Sequence, residues 1–170
     1  MQGKAVVAGV GAIPFGKPGA TESYDLMAAA ATRRALANAG LGYEDVQQAI
    51  VGYVYGDSTS GQRALYGVGM SGIPIVNVNN NCSTGSTALF LARQLVEAGA
   101  VDCVLALGFE QMRSGALTEH WSDRPSPFSR FDELCAEIAP YPVPLALRYF
   151  GGAGVEYMQQ IGRASCRERV

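Results

Sequence analysis

The sequence predicts an α/β domain on a mostly parallel sheet, followed by an irregular region. Three observations carry that expectation. Short apolar runs rich in β-branched residues alternate with helix-length segments through the first 110 residues, the pattern of strand–helix–strand crossovers. Glycine supplies 21 of 170 residues, as an architecture with many tight strand–helix turns requires. After Gln111 the alternation stops, and five of the eight prolines fall between Pro125 and Pro144.

Residues 4–10 (KAVVAGV) form a short β-branched run leading to Gly11 and read as a first buried strand. A Gly/Pro-rich loop follows. Ser23 is placed to cap a helix with Asp25 in its first turn, running to about Ala39 and stopped by Gly40. Residues 49–55 read as a second strand and 61–70 as a short helix. Residues 73–78 read as a third strand. Beyond Cys82, the positions Ala88, Leu91, Ala92, Leu95 and Gly99 share one helical face, with Gly99 as the stop. Residues 101–108 are almost wholly apolar and read as a fourth strand buried on both faces. One or two short helices are expected within residues 111–160.

The composition excludes several functions. A net charge of −2 gives no sign of the basic face that a nucleic-acid surface needs, and no apolar run approaches the length of a membrane span. The N-terminus lacks the tripartite pattern of a signal peptide, so a cytoplasmic location is expected. Cys82, Cys103, Cys135 and Cys166 show no C-x-x-C spacing, and His120 is the single histidine, so neither a zinc site nor a disulfide framework is expected. Gly9 and Gly11 fall short of a dinucleotide turn because Pro14 occupies the third glycine position.

Cys82 is the candidate nucleophile. It follows an apolar strand at the predicted start of a helix, where unpaired N–H groups and the helix dipole favour a thiolate over a thiol. Its backbone N–H can also meet a developing oxyanion. Gly85 and Ser83 leave room for a substrate. A buried structural cysteine fits the same position. Asn79, Asn80 and Asn81 favour function, because three poor strand formers suit a sharp turn with polar groups at a site. Cys103 and Cys135 read as core positions and His120 as a surface or packing residue. Arg63, Arg113 and Arg124 are available to phosphate groups, and none is assigned.

The run from Gly52 to Gly99, with NNNCSTGS at its centre, resembles the sterol-carrier-protein branch of the thiolase family. So do VLALGFEQM, the following SGAL and the opening VVAGVGAIPFGKPGA. The resemblance implies a thiolase-like fold, of which this chain supplies the N-terminal βαβαβ half, and a homodimer in the full-length protein. It aligns Cys82 with the family nucleophile. An acyl group would pass from acyl-CoA to this thiol and on to a second acyl-CoA by Claisen condensation, or in reverse by thiolysis of a 3-oxoacyl-CoA. Coenzyme A thioesters enter as substrates, with no permanently bound cofactor and no metal. The family's activating histidine and late acid/base residue map nowhere here, so the chain alone is expected to be inactive. A non-catalytic lipid- or CoA-binding partner subunit is the alternative, and a ketosynthase-like enzyme shares the fold.

The expected organisation is a core half at 1–110, a loop excursion at 111–160, and a foreign tail at 161–170. The tail IGRASCRERV carries three of the thirteen basic residues and no helical or strand period. It is also the translation of ATC GGA AGA GCG TCG TGT AGG GAA AGA GTG, which resembles a sequencing adapter. Natural sequence is therefore expected to end near Gln160, leaving Cys166 without a chemical role.

Overall fold

The structure, a computed structural model, describes residues 4–113, 123–138, 143 and 145–162. His120, Cys166, the SGAL segment and nearly all of the tail lie outside the described residues. The chain divides into two compact units, Met1–Ala116 and Leu117–Val170.

The first unit is a three-layer α/β sandwich. Helix α1 (Tyr24–Ala39) begins after Ser23, whose hydroxyl donates to Asp25, and ends where Gly40 turns left-handed at φ 69°. Strand β1 (Gln48–Gly52) forms the middle of a parallel sheet of order β2-β1-β3, with β2 (Ile75–Val78) and β3 (Val104–Gly108) at its sides. Ile50 sits opposite Val76 and Ala106, and Gly52 opposite Val78 and Gly108. Between β1 and β2 lies α2 (Ser60–Tyr66), and between β2 and β3 lies α3 (Thr84–Glu97).

Alternation along β1 divides the core. Ala49, Val51 and Tyr53 pack with Ala28, Ala64, Leu65 and Leu107 under α1 and α2. Ile50 points the other way, against Ala88 and Ala92 of α3, with Leu91, Leu95 and Val104 around them. The helical face expected for α3 is therefore the one that is buried, and Gly99 closes it at φ 70°.

Two strand expectations need correction. Residues 4–10 join no ladder among the described residues. They run along the helices instead: a Cβ on Gly11 would lie 2.3 Å from the Ala31 carbonyl oxygen, and one on Gly9 would lie 2.6 Å from that of Ala35. Val10 N–H donates to Asn38 Oδ1 at 3.0 Å, and Arg34 reaches the Ala12 carbonyl. The paired glycines that read as the end of a strand thus permit close backbone contact with α1. Strand β3 is shorter than expected and is not buried on both faces. It pairs only with β1 among the described residues, and while Leu107 is buried, Ala106 and Gly108 are exposed.

In the second unit, α4 (Ser129–Ile138) and α5 (Leu145–Ile161) occupy much of the region expected to be irregular. Phe131 of α4 packs its ring on Tyr149 of α5 with centroids 4.6 Å apart, and the Tyr149 hydroxyl donates to Asp132. At 17 residues, α5 is longer than the short helices expected, and it takes in Ile161, the first residue of the expected tail.

Candidate active site

The C-terminal ends of the three strands share one edge of the sheet, the edge at which open parallel sheets hold ligands. Cys82 stands there. Strand β2 ends at Val78, and the chain turns through residues 79–83 into α3. The turn is built from its own polar atoms. Asn79 Oδ1 accepts the Asn81 N–H at 3.1 Å, and Asn81 adopts φ 47°, a left-handed conformation that Asn tolerates. Ser83 donates its N–H (3.1 Å) and its hydroxyl (2.9 Å) to the Asn80 carbonyl. Asn80 Nδ2 donates to Thr87 Oγ1, which donates to the Ser83 carbonyl, both at 3.0 Å. The Asn80 side chain and the Asn79 carboxamide oxygen therefore shape the turn, the first of the two roles the sequence suggested for these residues.

Cys82 lies in a single 3-10 turn, Asn81–Ser83, and α3 begins two residues later at Thr84. The thiol thus precedes the helix where the sequence placed it at the helix start. Cys82 is exposed, so the buried structural reading does not describe it. Its backbone N–H takes no acceptor among the described residues, whereas the next two N–H groups donate to Asn80 and Asn81.

Small residues bring backbone close beneath the turn. A Cβ on Gly52 would meet Thr84 Cγ2 at 2.7 Å, and one on Gly108 would lie 4.0 Å from Gly85 Cα. A Cβ on Gly85 itself would meet nothing within 4 Å, so space is open beside Cys82. Beyond Gly52, the Glu110 carboxylate accepts the N–H groups of Val54 (3.0 Å) and Tyr55 (2.9 Å), tying the loop after β1 to the end of β3. Phe109 stacks between Tyr24 and Tyr53 with centroids 5.0 Å from each.

The remaining sequence candidates scatter. Cys103 is half-buried just before β3, and burial first, then the Asp45 carboxylate, hold its thiol above the ordinary range. Cys135 is half-buried on α4. Arg63 pairs with Asp25 at 3.0 Å, Arg124 pairs with Asp123 at 2.8 Å, and Arg113 is exposed. No cluster of three or more His, Cys, Asp or Glu among the described residues could hold a metal, and no helix among them is long and apolar enough to cross a membrane. Sequence reasoning missed Thr84 and Glu110. Thr84 is an ordinary residue in a Ser/Thr-rich stretch, and the only signal at Glu110 is a lone acid ending an apolar strand.

Comparison with known proteins gives the family of the chain. Residues 5–127 match the family model of the thiolase N-terminal domain. Sterol carrier protein 2 of Gallus gallus is 51% identical over 165 residues, covering 95% of this chain and 30% of the relative. Non-specific lipid-transfer protein-like 2 of Caenorhabditis elegans is 41% identical over 165 residues, covering 94% of this chain and 40% of the relative. The chain thus spans less than half the length of either. Among solved structures, 3-oxoacyl-[acyl-carrier-protein] synthase III of Aquifex aeolicus superimposes with a TM-score of 0.48 at 24% identity, over 53% of this chain and 30% of that one. With most of its length matched by that N-terminal domain, the chain belongs to the thiolase family.

Proposed function

We propose that the protein takes part in thiolase-type acyl transfer between acyl-CoA thioesters, with Cys82 as the acyl acceptor, no permanently bound cofactor and a homodimer as the working form. One observation carries this reading: an exposed thiol at the edge of a parallel sheet where ligands are held, on a residue whose own N–H takes no acceptor among the described residues. Cys82 Sγ, as the thiolate, attacks the thioester carbonyl carbon and forms a new C–S bond. The carbonyl electron pair moves onto oxygen, where the Cys82 N–H receives it. Collapse of this intermediate breaks the bond to coenzyme A, whose thiolate leaves and takes up the proton the cysteine gave up. The acyl group then passes to a second acyl-CoA, or the sequence runs in reverse as thiolysis of a 3-oxoacyl-CoA.

A second reading rests on the names of the relatives, a sterol carrier and a lipid-transfer protein. It makes the chain a lipid- or CoA-binding subunit without covalent chemistry. Incubation of the full-length protein with acetyl-CoA followed by peptide mass spectrometry separates the two. Acyl transfer requires one acetyl group on the Cys82 peptide, lost in Cys82→Ser and reversed by added coenzyme A. Binding of coenzyme A with Cys82 unmodified would favour the second reading.

A further inference from the structure

We infer that Thr84 is a positioning residue that aims the Cys82 N–H at the reacting oxygen; this rests on the reading of Cys82 as acyl acceptor. Thr84 is 5% exposed, and its hydroxyl bridges the two residues before the cysteine. Oγ1 accepts the Asn80 N–H at 2.8 Å and donates to the Asn81 carbonyl at 2.6 Å. The Thr84 backbone N–H donates to that same carbonyl, so Asn81 O is held by two donors from the start of α3.

That grip decides where the next N–H points. Asn81 C=O and Cys82 N–H belong to one planar trans peptide, in which the two bonds point in opposite directions. Drawing the carbonyl toward Thr84 turns the Cys82 N–H away from α3. This accounts for a donor without a partner among the described residues while its neighbours on both sides are bonded. The threonine methyl fixes the hydroxyl in turn. Cγ2 lies where a Gly52 Cβ would come within 2.7 Å, so it rests on bare backbone and leaves Oγ1 facing the turn. Asn81 adopts a positive φ, and the Thr84 bonds are part of what holds it there.

The two chemistries open to a thiol separate aiming from simple support. Transfer of an acetyl group from S-acetyl-N-acetylcysteamine builds an oxyanion, whereas alkylation by iodoacetamide displaces iodide and builds none. Both rates are read at the Cys82 peptide of the full-length protein by mass spectrometry. Thr84→Val keeps the shape and removes the hydroxyl. It should slow acetylation by roughly 10- to 100-fold, less than the roughly 100- to 1000-fold that follows outright removal of one oxyanion donor, while changing alkylation by less than about twofold. Thr84→Ser keeps the hydroxyl and should restore acetylation to within about threefold of the parent. Equal acetylation of the parent and Thr84→Val overturns the inference. So does a parallel slowing of both reactions, which marks a merely structural role. Absence of acetylation in the parent protein instead removes the acyl-acceptor reading, and this inference with it.

Discussion

The contact between Gly52 and Thr84 makes the floor of the Cys82 turn measurable through Gly52→Ala. The added Cβ would lie 2.7 Å from Thr84 Cγ2, 3.0 Å from Thr84 O and 3.2 Å from Thr84 C. Two of the three atoms are backbone at the start of α3, so relief requires moving the helix and not a side-chain tip. Overpacking of this kind costs about 1–3 kcal/mol. Loss of glycine freedom in the unfolded chain returns about 0.4–1 kcal/mol where the conformation is tolerated. The net loss is about 1–2 kcal/mol, which lowers Tm by roughly 5–15 °C in a unit of this size. Gly85→Ala is the matched control. Its Cβ meets nothing within 4 Å and it sits within α3, so the helix gains about 0.5–1 kcal/mol and Tm rises. Thermal melts followed by circular dichroism compare the three proteins. A Gly52→Ala protein melting within about 1 °C of the parent, or a Gly85→Ala protein falling as far as Gly52→Ala, would refute the packing argument.

Glu110→Ala strips the Val54 and Tyr55 N–H groups of their shared acceptor and should cost about 2 kcal/mol or more, with faster hydrogen exchange at those two amides and an intermediate result for Glu110→Gln. Unchanged exchange there would count against the clamp. Cys103, held neutral by burial and then by Asp45, should alkylate more slowly at pH 8 than a free cysteine peptide, and Asp45→Asn should recover only part of the difference because burial remains. The unfolded thiol ionises first, so the neutral thiol's contribution to stability is present below about pH 8.5 and is lost as pH rises through the raised folded value. Cys103→Ser should therefore flatten the fall in Tm over that alkaline range, and an unaltered slope would contradict the assignment.

Features written in local sequence were legible. Gly40 and Gly99 both take the left-handed conformation that ends their helices, because a helix terminus is decided within a few residues. The buried face of α3 was readable from its period alone, and the parallel sheet from alternation. Features decided by distant partners were not. Residues 4–10 have a strand's composition, but pairing depends on what lies beside them, and α1 lies there. The apolar residues 101–108 gave no sign that β3 pairs only with β1 among the described residues and leaves Ala106 exposed. At the site, the position of Cys82 after a strand was local and readable. The carboxylate that secures Val54 comes from 56 residues downstream, and no spacing rule points to it.

The central position of β1 has a consequence for how the chain assembles as it is made. Strand β1 comes first among the three, yet both its partners lie downstream, one beginning at Ile75 and the other at Val104. The hydrogen bonds of the Cys82 turn span seven residues at most, so the turn can close soon after Thr87 is available. Its floor cannot. The pairing of β3 with β1 is complete only after Gly108 has been made, and it closes a longer loop than any contact within the turn. During synthesis there is thus an interval in which a completed cysteine turn stands on an unfinished sheet.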